Sequence, residues 1–159
     1  MRTLFALCAA ALTAIPTLLS AETAASDVVF SEYGEVAESL TGVAGDPEAG
    51  YTAATNRGLG NCVACHVAEG WSNEQFPGNI GPELTGVATR YEEAQLRGIL
   101  VNAKKTFPES FMPAFYNVDD IVRHGEGYTG KAAKSLDVTI LTAQQVEDIL
   151  ALLLSFNEE

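Results

Sequence analysis

Basic side chains are scarce in this 159-residue chain: nine Lys and Arg stand against 21 Asp and Glu, giving a formal charge of −12. Phosphate binding needs clustered Lys and Arg, so this deficit excludes a nucleic-acid partner. Long apolar runs are missing as well. The one apolar stretch, Leu4 to Ile15, is broken by Thr13 and followed by Pro16, too short to span a bilayer. Donors for metals and nucleophiles are few, with three Cys, two His and two Met. There is no internal repeat, no low-complexity tract and no convincing run of paired strands. What remains is one domain's length of chain with a helical pattern.

The N-terminus reads as a secretion signal rather than as part of the fold. Arg2 supplies the positive start, Leu4 to Ile15 the apolar stretch, and Leu18-Leu19-Ser20-Ala21 a small-residue cleavage site before Glu22. Residues 1–21 are therefore expected to be removed outside the cytoplasm. Cys8, preceded by the bulky Leu7 and placed too early for lipid attachment, goes with them. Arg2 is the only charge lost, so the remainder is one unit more negative than −12. Two cysteines are left, Cys62 and Cys65, which could pair in an oxidising compartment.

Their setting points elsewhere. Cys62-Val63-Ala64-Cys65-His66 is a C-x-x-C-H, the attachment sequence of c-type haem. Two thiols one turn apart add across the two vinyl groups on one porphyrin edge, and the histidine that follows reaches the iron from the proximal side. Three other readings compete. A thioredoxin-like dithiol needs a βαβ setting that the sequence lacks. A zinc site needs further ligands, and adjacent Cys65 and His66 are poor joint ligands on a tetrahedral ion. A structural disulfide leaves the histidine unexplained.

A second axial ligand has two candidates. Met112, in Ser110-Phe111-Met112-Pro113, offers a soft thioether, the common partner of histidine in electron-transfer cytochromes; otherwise it is an ordinary core methionine. His124, in Val122-Arg123-His124-Gly125-Glu126, is the other, in a stretch that reads as an exposed loop. Gly81-Pro82 follows the motif, and the Pro82 carbonyl is placed to accept from the far nitrogen of His66, which would fix the ring and raise its basicity. The plainer reading is a Gly-Pro turn.

The remaining pattern is helical. Asp46-Pro47 gives a cap with proline at the first helical position, predicting a helix from Pro47 to about Arg57 that breaks at Gly58-Leu59-Gly60. Gly50 inside it marks a close approach by another helix. Residues 67–88 read as a long loop at the haem edge. Thr89-Arg90-Tyr91-Glu92 reads as a capping box, opening a helix with the apolar stripe Leu96, Ile99, Leu100, Ala103 that Pro108 ends. Lys104 and Lys105 read as a solvated helix end complementing its own dipole. Thr142 to Gln145 is a second capping box. It opens a helix striped with Val146, Ile149, Leu150, Leu153 and Leu154, widened by Leu152, with Glu147, Asp148 and Glu158 mostly off the stripe. Residues 22–45 read as a polar N-terminal extension, and 116–135 as a glycine-rich insertion before the last helix.

A haem motif after a first helix, Gly-Pro-x-Leu-x-Gly at 81–86, a middle helix, a Met-Pro loop and an apolar last helix together resemble class I cytochromes c. The match runs from about Asp46 to Phe156 and implies an all-α, class I cytochrome c-like domain at residues 46–157, with the first and last helices crossing. A narrower resemblance is to the SoxX family. It rests on Asn56-Arg57, Gly60-Asn61 with the haem motif, Gly78-Asn79-Ile80-Gly81-Pro82-Glu83-Leu84, Tyr91, Leu96-Arg97, Asn102, Pro108, Met112-Pro113-Ala114-Phe115 and Leu141 to Gln145. SoxX proteins are the small cytochrome subunits of periplasmic SoxAX complexes. In these, SoxA carries the reacting haem and thiosulfate is joined oxidatively to a cysteine of the carrier SoxYZ. The resemblance implies one covalent haem c on Cys62 and Cys65, His66 as proximal and Met112 as distal ligand, and Pro82 as the ring's support. It also implies SoxA as partner, a small soluble electron acceptor and no catalytic centre in this chain. Phe111 and Phe115 of the Met112 loop are then expected at the partner surface. The rivals are a free-standing cytochrome c shuttle, a haem peroxidase with an open iron position, and a non-haem dithiol or metal protein.

Overall fold

The computed structural model describes residues 21–119, 130–132, 135 and 138–157, so the secretion-signal residues 1–20 and His124 lie outside the described residues. Asp46 and Pro47 start helix α1 (Pro47–Thr55) as the sequence indicates. The Asp46 carboxylate accepts from the Glu48 N–H at 2.9 Å, and proline at the first position has no N–H to leave unpaired. The helix stops at Asn56, where the backbone turns extended (φ −70°, ψ 122°).

The buried face of α1 is Gly50, Ala53 and Ala54. With nothing larger than a methyl on it, helix α4 (Ala143–Leu154) crosses α1 at very short range, the main helix–helix contact of the fold. A Cβ on Gly50 would stand 2.1 Å from the Asp148 carbonyl oxygen, far inside contact distance, so only glycine fits the crossing. The α4 capping box forms as expected: Thr142 Oγ1 accepts from Gln145 N–H at 3.2 Å and Gln145 Oε1 from Thr142 N–H at 2.9 Å. Val146, Ile149, Leu150, Leu152 and Leu153 are all buried.

Glu147 and Asp148 lie off that stripe yet are buried, at 5% and 8% exposure. Their partners come from distant parts of the chain. Glu147 receives Arg97 Nε at 3.0 Å and the Leu40 N–H at 2.7 Å, while Asp148 Oδ1 receives the Asp46 N–H at 2.9 Å. Arg97, itself 3% exposed, also donates to the Val36 carbonyl at 3.1 Å and to Glu93. Burial works against its charge, but the bonds from Glu147 and Glu93 and their negative charges prevail. The guanidinium is held charged above its ordinary range.

The middle of the chain departs from the expectation at one place. Thr89 does not cap the third helix: it lies within a short helix α2 (Val87–Arg90), its hydroxyl donating to the Gly86 carbonyl at 2.8 Å. Gly86, at φ +65°, begins that turn early and so takes up Thr89. The chain is extended again at Tyr91, and α3 (Glu93–Asn102) is capped by Glu92, whose N–H donates to Gln95 Oε1 at 2.9 Å. Leu96, Leu100 and Ala103 of the expected stripe are buried and Ile99 is half-buried. A 3₁₀ turn (Ala103–Lys105) continues α3.

Residues 22–45 are woven into this frame. Val36 and Leu40 are 2% and 1% exposed, and the Val36 N–H donates to the Ala94 carbonyl at 2.9 Å. A fully buried aliphatic side chain contributes roughly 1.5–3 kcal/mol, so this segment is part of the folding unit. Tyr116 clasps its start, its one hydroxyl hydrogen shared between the Thr23 carbonyl at 2.8 Å and the Glu22 carboxylate at 3.1 Å. Within the expected haem-edge loop, Trp71 is 1% exposed and packs edge-on against Phe156, centroids 5.6 Å apart. Among the described residues there is no strand.

Candidate haem-binding site

The motif hangs from the C-terminal end of α1. Gly60 N–H donates to the Ala53 carbonyl at 3.0 Å and Asn61 N–H to the Asn56 carbonyl at 3.1 Å. Asn61, at φ +47°, turns the chain into a 3₁₀ turn at Cys62–Ala64. Cys65 and His66 then both donate their N–H to the Cys62 carbonyl, at 3.1 and 2.9 Å. One turn thus brings both thiols and the imidazole onto a single short segment, with the cysteines free of any disulfide. Burial pushes the Cys62 thiol up to about 11.

A strap of residues 78–84 closes over this turn. Gly78, Gly81 and Leu84 donate their N–H to the carbonyls of Val63, Cys65 and Val67, each at 2.8 Å. Two of these positions have no room for a side chain. A Cβ on Gly78 would stand 1.9 Å from the Ala64 carbonyl oxygen, and one on Gly81 2.3 Å from His66 Cε1. The strap delivers the Pro82 carbonyl to His66 Nδ1 at 2.7 Å. A carbonyl can only accept, so Nδ1 carries the proton and Nε2 keeps its lone pair for a metal. The strap is held from outside by Arg90, which donates to the carbonyls of Thr85 and Glu83, each at 2.7 Å. Nothing in the local sequence marks Arg90 for this work.

Met112 sits on a second loop, hung from the end of α3. The Phe115 and Tyr116 N–H groups donate to the Leu100 and Val101 carbonyls at 3.3 and 3.2 Å. The Met112 side chain is half-buried against the same apolar cluster that Leu59, Cys62, Val63 and Leu84 line. Phe115 is buried at 4%, so it belongs to the core and not to an exposed partner surface, whereas Phe111 is 93% exposed. Lys104 is more than a solvated helix end: its ammonium donates to the Met112 carbonyl at 3.0 Å. Lys105 lies over the Phe30 ring, 5.7 Å from its centroid.

The donor set fits a c-type haem: two reduced thiols, an imidazole with its outer nitrogen engaged, and a thioether. Phe76 before the strap, Ile80 on it and Phe111 beside Met112 offer apolar surface, each at least 74% exposed. Among the described residues, no group of three or more His, Cys, Asp and Glu side chains converges as an alternative ion site. A family model described as Cytochrome c matches residues 47–157.

The chain belongs to the cytochrome c family. It is an all-α class I cytochrome c and carries covalent haem c, with Cys62 and Cys65 in the family's C-x-x-C-H position. No curated protein sequence matches it. Among solved structures, this cytochrome is similar to a chain in the crystal structure of SoxXA from P. pantotrophus. The two share 51% sequence identity with a TM-score of 0.82, over 87% of this chain and 100% of that one.

Proposed function

We propose that this cytochrome is the electron-transfer subunit of a SoxXA-type complex, the assembly that begins thiosulfate oxidation. The observation that carries the reading is the 51% identity to a SoxXA chain over the whole of that chain's length. In this reading Cys62 and Cys65 hold the haem by thioether bonds, His66 Nε2 and the Met112 sulfur are the axial ligands, and Pro82 orients His66. The haem, when bound, supplies a one-electron iron couple. The chain's own work is positional. Pro82 keeps the imidazole in one tautomer and orientation, the strap prevents His66 from swinging, and the apolar cluster around Met112 excludes water.

SoxA is the partner, forming with this chain an L-cysteine S-thiosulfotransferase whose catalytic centre lies on SoxA. The carrier SoxYZ is reached through the complex, and electrons leave to a small soluble acceptor. The compartment is the periplasm, reached by the residue 1–21 signal. Among the described residues, no helix is long and apolar enough to cross a membrane.

Co-purification from the native periplasm tests the reading. The expected product is a heterodimer in which this chain carries one haem that survives acid and organic extraction, with little holoprotein from Cys62→Ala or Cys65→Ala. Elution of the fully haem-loaded chain alone would point to a free-standing shuttle instead. A purified chain without the haem mass would end both readings.

A further inference from the structure

We infer that Lys104 is a positioning residue for Met112, closing the loop that presents the thioether. This rests on the proposal that Met112 is the distal ligand, and concerns what keeps it there.

The Met112 loop is anchored on either side of the methionine but weakly at it. Upstream, Thr106 and Phe107 donate their N–H to the Ala103 carbonyl and Ser110 N–H to the Phe107 carbonyl. Downstream, Phe115 and Tyr116 are tied to the end of α3. At Met112 itself the N–H has only the Ser110 hydroxyl, at 3.2 Å, and Pro113 has no N–H to add. The carbonyl is taken by the Lys104 ammonium at 3.0 Å, a bond that reaches across eight residues. It is charge-assisted, and hence stronger than a neutral one.

Lys104 is itself held in place. Asn102, 5% exposed, ends α3 with an extended backbone (φ −157°, ψ 92°) and accepts the Lys104 N–H on its side-chain oxygen at 3.2 Å. The buried asparagine sets the 3₁₀ turn, the turn aims the lysine, and the lysine ties down the backbone of the methionine. Lys105, next in sequence, has the same charge but lies over Phe30, so it provides a control.

Imidazole competition at fixed pH measures the opening directly, because it binds ferric iron only when Met112 has left. Losing one solvent-exposed, charge-assisted hydrogen bond raises the population of the open state by about three- to tenfold. Imidazole should therefore bind Lys104→Gln about three- to tenfold more tightly than wild type. Lys104→Arg should stay within about twofold, and Lys105→Gln should match wild type. Global stability of the haem-loaded Lys104→Gln protein should fall by no more than the three- to tenfold change in opening, about 0.7–1.4 kcal/mol at about 1.4 kcal/mol per tenfold, because the bond is missing from the open and the unfolded states alike. The other two variants should match wild type. Equal imidazole affinity for Lys104→Gln and wild type would overturn the inference. So would a loss of global stability larger than the change in opening accounts for, which marks a merely structural lysine, or an equal effect of Lys105→Gln, which marks net charge alone. If the wild-type ferric protein lacks the thioether charge-transfer band, the Met112 reading fails and the inference with it; if the band is present and Lys104→Gln behaves as wild type, the inference alone fails.

Discussion

Gly81 is the most direct handle on the imidazole clamp. An alanine there would put its Cβ 2.3 Å from His66 Cε1 and 2.5 Å from Nδ1. Carbon atoms settle at about 3.5–4.0 Å, so ring and strap must separate by more than about 1 Å. The strap resists, since the N–H groups of Gly78, Gly81 and Leu84 pin it to the haem motif at 2.8 Å each. The displacement therefore falls on the ring and carries Nδ1 away from the Pro82 carbonyl, now 2.7 Å distant. Losing such an outer bond typically costs about 10–100-fold in metal affinity, or about 1.4–2.8 kcal/mol. An imidazole deprived of that acceptor donates less charge to iron, so the ferrous form gains and the potential rises. Spectroelectrochemical titration of Gly81→Ala beside Pro82→Ala, which keeps a backbone carbonyl, separates the hydrogen bond from the proline ring. Gly81→Ala should have the higher potential and an upfield-shifted His66 Nδ1 proton in the ferrous form, while Pro82→Ala stays close to wild type. A Gly81→Ala protein with unchanged potential and proton shift would refute the reasoning.

Met112→Ala should open the iron to carbon monoxide and abolish the weak ferric band at the red edge of the spectrum, while Met112→His should keep a low-spin haem at lower potential; an unchanged ferric spectrum in Met112→Ala would remove Met112 from the iron. Glu147→Leu should destabilise the protein by about 3–5 kcal/mol, because it takes the buried partner from the Arg97 guanidinium, leaving only the exposed Glu93 carboxylate as counter-charge, and leaves the Leu40 N–H without its acceptor. Chemical denaturation should show Arg97→Met/Glu147→Leu recovering much of that loss, and a single mutant costing under about 1 kcal/mol would contradict the pairing. Tyr116 is pushed up to about 12 by burial, the Glu22 hydrogen bond and the Glu22 charge. Its neutral phenol thus favours the folded state fully below the unfolded value near 10, and the contribution fades as pH rises from there through 12. Stability measured across that window should fall more steeply in wild type than in Tyr116→Phe, and equal slopes would disprove the linkage.

The parts of this structure that the sequence made legible are those determined within a few residues. C-x-x-C-H is one turn of chain, Asp46-Pro47 caps its own helix, and Gly50 signals a close approach whichever helix makes it. The Pro82 carbonyl was legible because of its place after the motif. Where sequence reasoning missed, a distant partner or a competing local pattern decided the outcome. Thr89 looks like the cap of α3, but the positive φ of Gly86 draws it into α2 and the capping role passes to Glu92. Glu147 looks solvated until Arg97, 50 residues away, and the Leu40 N–H, 107 away, are brought to it. Val36 and Leu40 sit in a polar stretch, so their burial was hidden until α3 and α4 existed to cover them. Phe115 and Phe111 are alike in sequence, but only Phe115 falls where its N–H pairs with the end of α3.

The loops that carry His66 and Met112, the proposed ligands, have a common mounting. His66 is suspended from the last turn of α1 through Gly60 and Asn61, and Met112 from the last turn of α3 through Phe115 and Tyr116. Helix α4 packs against both α1 and α3, with its buried acids tied to Asp46 before α1 and to Arg97 on α3. Changing the separation of the loops therefore means moving α1 or α3 against α4, and a core packed at crystal-like density does not deform continuously. At the Gly50 crossing backbone meets backbone, with no side chain to yield. A site mounted in this way holds its donors at nearly fixed positions whatever the charge between them, and so keeps reorganisation on electron transfer small. An enzyme that binds substrate at iron needs one donor free to leave. With Met112 as the proposed second donor, its loop is tied at its own carbonyl by Lys104 and anchored on both sides, an arrangement suited to passing electrons and poorly suited to admitting a ligand.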